Sequence, residues 1–68
     1  MQLATYGEKV KTIDAKKVAQ WKKMQPRIGT MNWIAEQCFR SRAVIHNAIN
    51  HGEATDSTEA NIDKLFGL

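Results

Sequence analysis

Four stretches of this chain carry apolar residues at spacings of three and four, and each is entered through a residue that caps helices. That pattern admits amphipathic α-helices and little else. After Asp14, residues Ala15, Val18, Trp21 and Met24 recur on one face with Ala19 alongside, while Lys16, Lys17, Lys22 and Lys23 fall largely elsewhere. Pro26 lacks an amide donor and disfavours helical backbone at Gln25, so this first helix is expected to end near Met24 and residues 25–29 to form a turn. Thr30 then opens a second helix over about residues 31–37, with Ile34, Ala35 and Cys38 inward. After a break at residues 38–40, Ser41 caps a third helix reaching about Asn50, with Val44, Ile45, Ala48 and Ile49 as its apolar stripe and His51-Gly52 as its stop. Asp56-Ser57-Thr58-Glu59 reads as a capping box with Asp56 at the cap of a fourth helix, whose apolar face is Ile62, Leu65 and Phe66.

The expected fold is therefore all-α, a compact bundle of about four short helices containing a helix-turn-helix. Residues 14–68 form the domain, and residues 1–13 form an arm whose structure stays open. Leu3, Tyr6 and Val10 fit a helical stripe, whereas residues 9–13 fit an extended segment.

A chain of 68 residues is one small domain, and a core of that size is marginal without a disulfide, a metal or a partner chain. The lone Cys38 excludes an internal disulfide, and with His46 and His51 it gives no zinc-ligand spacing, so neither metal nor cofactor is expected. No apolar run approaches a membrane span and no signal segment opens the chain, which together with a reduced Cys38 fits a cytoplasmic protein without a membrane partner. Charge is distributed unevenly. Residues 1–52 hold nine of the ten Lys and Arg against Glu8, Asp14 and Glu36, a net of +6, and residues 53–68 hold Lys64 against four acids, a net of −3. Such an asymmetry suits one side facing phosphate, and equally a mixed solvated surface.

Within residues 30–52, two short helices crossing steeply need a small residue where they touch, supplied by Ala35, and apolar residues to seal the crossing, supplied by Ile34, Cys38, Ile45 and Ala48. Ala35, a turn residue at Phe39, Ser41 and β-branched Ile45, with the run Ser41-Arg42-Ala43-Val44-Ile45 and the ending Ala48-Ile49-Asn50, resemble the DNA-binding helix-turn-helix of the Cro and phage-repressor class. The wording of the third helix is also similar to the lac repressor family headpiece. The resemblance implies a sequence-specific transcriptional regulator of double-stranded DNA, acting as a homodimer on a palindromic operator with residues 41–50 in the major groove. Two positions depart from the pattern: Phe39 stands where Gly is common, and Arg40 where a buried aliphatic is usual. The turn is accordingly expected to differ locally, with Phe39 rotated inward in place of the aliphatic and Arg40 facing solvent or DNA.

Arg42, Ala43 and Asn47 are the candidate base contacts. An Arg fork matches guanine O6 and N7, an amide matches adenine, and a small side chain meets a thymine methyl. For each, ordinary solvent exposure is the competing reading. Thr30, Asn32, Gln37, Arg40, Ser41, His46 and Asn50 are the candidate backbone contacts, with Lys9, Lys11, Lys16, Lys17, Lys22, Lys23 and Arg27 as sequence-independent attraction. Ile62, Leu65, Phe66 and Leu68 are the candidate dimer surface, and completing the monomer core explains them equally well. Trp21 fits the core rather than a stacking platform. Trp33 is expected half exposed against the first helix, and Tyr6 joins them as a third aromatic. Cys38 lacks a partnered base and reads as a small buried hydrophobe. No catalytic constellation is present, so an enzyme is not expected, and within 68 residues no small-molecule effector is expected. The alternatives are an architectural or excision DNA-binding factor and a protein-interaction or inhibitor module on a helical scaffold.

Overall fold

The computed structural model describes residues 9–68 and is four helices closed by a two-stranded ribbon. In chain order these are β1 (Lys11–Thr12), α1 (Ala15–Ile28), α2 (Met31–Cys38), α3 (Arg42–His51), β2 (Glu53–Ala54) and α4 (Asp56–Phe66). β1 and β2 pair antiparallel with Lys11 opposite Ala54 and Thr12 opposite Glu53. Residues 9–13 therefore take the extended alternative, and the end of the arm belongs to the fold: Ile13 and Ala54 are buried, and the Ile13 amide donates to the Gly52 carbonyl at 2.7 Å. Leu3 and Tyr6 lie outside the described residues.

Three helix starts follow the hydroxyl-cap rule. Thr30 Oγ1 accepts from the Trp33 amide, Ser41 Oγ from Val44, and Thr55 Oγ1 from Thr58. Asp14 caps α1 by accepting from the Lys16 amide at 3.1 Å. The cap of α4 is thus Thr55, one residue before the expected Asp56. Asp56 and Glu59 sit in the first turn, where their charge complements the exposed amides.

α1 does not stop at Met24 but runs through Pro26 to Ile28. Pro26 stands in the last turn, where its missing donor removes only one intrahelical bond and its ring faces solvent. The end is tied by the Gly29 amide donating to the Gln25 carbonyl at 3.0 Å and by Gln25 Nε2 donating to the Gly29 carbonyl at 2.6 Å. Gly29 is required by space. A Cβ there would lie 2.7 Å from Trp33 Cε3, so the α1–α2 corner is a close approach of backbone to an indole. Trp33 is half exposed, as its mixed position suggests.

The core joins Trp21 of α1, Ile34, Ala35 and Cys38 of α2, Ile45, Ala48 and Ile49 of α3, and Ile62 and Phe66 of α4. Trp21 is fully buried, and its indole Nε1 donates to Asp63 Oδ1 at 3.0 Å, which satisfies the polar edge of a core residue. Burial of Ile62 and Phe66 corrects their assignment to a dimer surface, because side chains closed inside the monomer have no face left for a second chain. Leu65 is half-buried and Leu68 exposed. Val44 leaves the expected apolar stripe of α3 and sits at its exposed edge.

Candidate nucleic-acid interface

The crossing of α2 and α3 is built around the turn at residues 39–41. The Phe39 amide donates to the Glu36 carbonyl at 3.2 Å and the Arg40 amide to the Ala35 carbonyl at 3.0 Å, the two bonds of a Schellman end. That geometry requires a left-handed residue, and Phe39 supplies it with φ 57° and ψ 43°. The turn thus has the backbone that a Gly at this position would have, without the Gly. The expected inward rotation of Phe39 does not occur: its ring is 87% exposed, because a left-handed residue at the helix end directs its Cβ away from the crossing.

Arg40 is also corrected. Its guanidinium turns onto the start of α4, donating from Nε to Thr58 Oγ1 at 3.2 Å, from Nη2 to Ser57 Oγ at 2.9 Å and from Nη1 to the Phe39 carbonyl at 3.0 Å. Thr58 is the buried polar side chain that this contact satisfies, with Thr55 Oγ1 as its second partner at 3.0 Å. Asn61 Nδ2 donates to the Cys38 carbonyl at 3.3 Å, so α4 holds both ends of the turn. Nothing in the apolar periodicity marked this clamp. An Arg in a usually aliphatic position, ahead of a hydroxyl-rich helix start, was the available signal. Cys38 is buried beneath it, and burial pushes its thiol pKa up, against the opposing pull of Arg40, away from nucleophilic use.

At about 100° per residue, Ala43, Asn47 and Asn50 lie opposite the buried Ile45, Ala48 and Ile49 of α3. Arg42 and His46 flank this outward face on one side and Val44 and His51 on the other. Arg42, Ala43 and Asn47 are exposed, while His46 and Asn50 are half-buried. The rings of His46 and His51 approach to 5.5 Å between centroids. The outward face therefore holds two candidate base contacts, Ala43 and Asn47, and one candidate backbone contact, Asn50, with Arg42 and His46 along its edge. Ser41 caps the start of the helix, its Oγ accepting from the Val44 amide at 3.2 Å. Thr30 and Asn32 stand at the start of α2, both exposed. Gln37 is set apart from them, at the far end of α2, beside a groove it shares with Phe39, Asn61, Lys64 and Leu65.

The charges separate in the same sense. Every ion pair among the described residues joins Lys11 or Lys17 to the acids of α4: Lys11 to Asp56 and, at 2.8 Å, to Glu59; Lys17 to Glu59 at 2.9 Å and Asp63 at 2.7 Å. Those contacts hold the Glu59 carboxyl below its usual pKa and raise that of both lysines. Lys11 and Lys17 are therefore neutralised internally and drop out of the attraction expected of them. Lys16, Lys22, Lys23, Arg27 and Arg42 are exposed and form no ion pair among the described residues.

No group of three or more His, Cys, Asp or Glu among the described residues is placed to hold a metal ion, and no described helix is long and apolar enough to cross a membrane. No family model, no curated protein and no solved structure matches the chain.

Proposed function

We propose that this protein binds double-stranded DNA through the outward face of α3 and acts as a cytoplasmic sequence-specific transcriptional regulator. The observation that carries the reading is the pairing of two features. Arg42, Ala43, Asn47 and Asn50 project from a helix of major-groove width, and the acids of α4 are consumed by Lys11 and Lys17, leaving free cations on α1 and α3. Arg42, near the start of α3, reads guanine through its two-pronged fork, and Asn47, about one turn later, pairs with adenine. Ala43 keeps the helix close to the base edges. Thr30, Asn32, Ser41, His46 and Asn50 meet phosphates and set the register.

Helices used in this way work in pairs, so the reading includes a homodimer on a palindromic operator. Leu65 and Leu68 are what remains of the dimer surface expected from sequence once Ile62 and Phe66 are inside the core.

Exposed Phe39 beside the groove at Leu65 favours a second reading, a module that binds another protein. A salt titration separates the two. Affinity for duplex DNA should fall steeply and log-linearly with salt, with a slope of about −0.9 per phosphate neutralised. Absence of duplex binding at low salt, or binding indifferent to salt, leaves the protein-binding reading.

A further inference from the structure

The two flanks of α1 carry lysines with opposite surroundings. Lys17, on the side facing α4, is bound by Glu59 and Asp63. Lys22, on the side facing α3, forms no ion pair among the described residues and lines a groove of about 390 Å³ with Ala15, Val18, Ala19, Asn50 and His51.

We infer that this groove between α1 and the carboxyl end of α3 is a phosphate site for the sugar-phosphate backbone of duplex DNA, with Lys22, His51 and Asn50 as its ligands. The inference rests on the DNA reading of α3 and adds to it a contact on a second helix. Three features of the place support it. Asn50 belongs both to the outward face of α3 and to the groove, so the groove continues the candidate interface without a gap. The chemistry at its edge is one ammonium, one imidazole and one amide, all able to donate to phosphate oxygens. Its α1 wall includes Ala15 and Ala19, whose short side chains let a bulky backbone approach. Geometry agrees: an α-helix is about 10–12 Å across and the major groove about 12 Å wide, so a seated helix brings its flanks against the phosphates walling the groove. His51 is on the flank of α3 that faces α1.

The test measures affinity by fluorescence anisotropy across a salt series, on a short duplex of mixed sequence and on a duplex selected from a random pool. Lys22→Gln should lower the magnitude of the salt slope by about 0.9 and weaken both duplexes by a similar factor. His51→Ala should also weaken both alike, without reordering sequence preference. Lys64→Gln, on the exposed side of α4, is the control and should leave slope and affinity unchanged. The inference is overturned if Lys22→Gln behaves as Lys64→Gln does, or if His51→Ala changes sequence preference while sparing the mixed duplex. If the unaltered chain has no salt-dependent affinity, the DNA reading itself fails, a result distinct from either. All three substituted side chains are exposed, and far-UV circular dichroism checks that each variant folds.

Discussion

Phe39 is the residue at which strain and packing can be weighed most directly. Its backbone is left-handed, at φ 57° and ψ 43°, and its ring is 87% exposed. A residue with a Cβ in that conformation costs roughly 1–2 kcal/mol, whereas glycine is free of that cost. Glycine in turn loses more freedom on folding, roughly 0.5–1 kcal/mol. The exposed ring contributes little burial to set against either. Phe39→Gly should therefore stabilise the fold by about 0.7 kcal/mol, and Phe39→Ala, which keeps the left-handed cost and removes only the ring, should be close to neutral. For a domain of this size about 0.7 kcal/mol corresponds to a rise in Tm of roughly 3–6 °C. Thermal and urea unfolding followed by circular dichroism measure both variants. A loss of more than about 1 kcal/mol in Phe39→Ala would mean that the ring is packed, and would refute the reasoning from strain. DNA affinity should be the same in both, since neither the outward face of α3 nor its free cations change.

Arg40→Ala should destabilise by about 1–2 kcal/mol in urea unfolding, by leaving buried Thr58 without one of its two partners, and should leave the DNA salt slope unchanged. A slope reduced by about one would return Arg40 to the phosphate contacts. Trp21→Ala should cost about 3–5 kcal/mol, comparable to the whole stability of so small a core, and leave the chain largely unfolded at 25 °C by circular dichroism. Glu59 has its folded pKa lowered by Lys11 and Lys17, so its contribution is fully present above the unfolded carboxylate value and is lost as pH falls through the lower folded one. Unfolding midpoints should decline below about pH 4.5, and Glu59→Gln should flatten that decline. Lys17 has its folded pKa raised, so its share is present below the ordinary lysine value and fades only as pH rises through the higher folded one. The unaltered protein should accordingly hold a stability plateau from about pH 5 to about pH 8.5, above which ionisation of the unfolded Cys38 thiol, whose folded pKa burial raises, begins to lower it.

The helices were legible because caps and apolar spacing are local. Asp14, Thr30 and Ser41 start the elements they were expected to start, and Trp21, Ile34, Ile45 and Ile62 fill the core their spacing defines. Misplaced features depended on what lay next door. Pro26 marks a break only if the helix must continue well beyond it, and one remaining turn lets the proline be accommodated. Thr55 displaced Asp56 as the cap of α4: its hydroxyl accepts from the Thr58 amide and donates to the Thr58 hydroxyl three residues on, a local competitor for the cap that the Asp56–Glu59 spacing overshadowed. Phe39 and Arg40 were exchanged for a tertiary reason: apolar character argued Phe39 inward, and a backbone conformation together with hydroxyls 17 and 18 residues away decided otherwise. Lys11 and Lys17 could not be told from the other lysines by sequence, since their partners are brought to them only by α4 packing on α1 and β1.

The outward face of α3 is proposed to read duplex DNA. Selection from a random duplex pool, with the unaltered protein and Arg42→Ala in parallel, tests it most directly. The expected result is an enriched palindromic motif in which Arg42→Ala relaxes one guanine position per half-site, at a cost of roughly 1–3 kcal/mol there. A pool that shows no enrichment, or a motif that Arg42→Ala leaves intact, contradicts it.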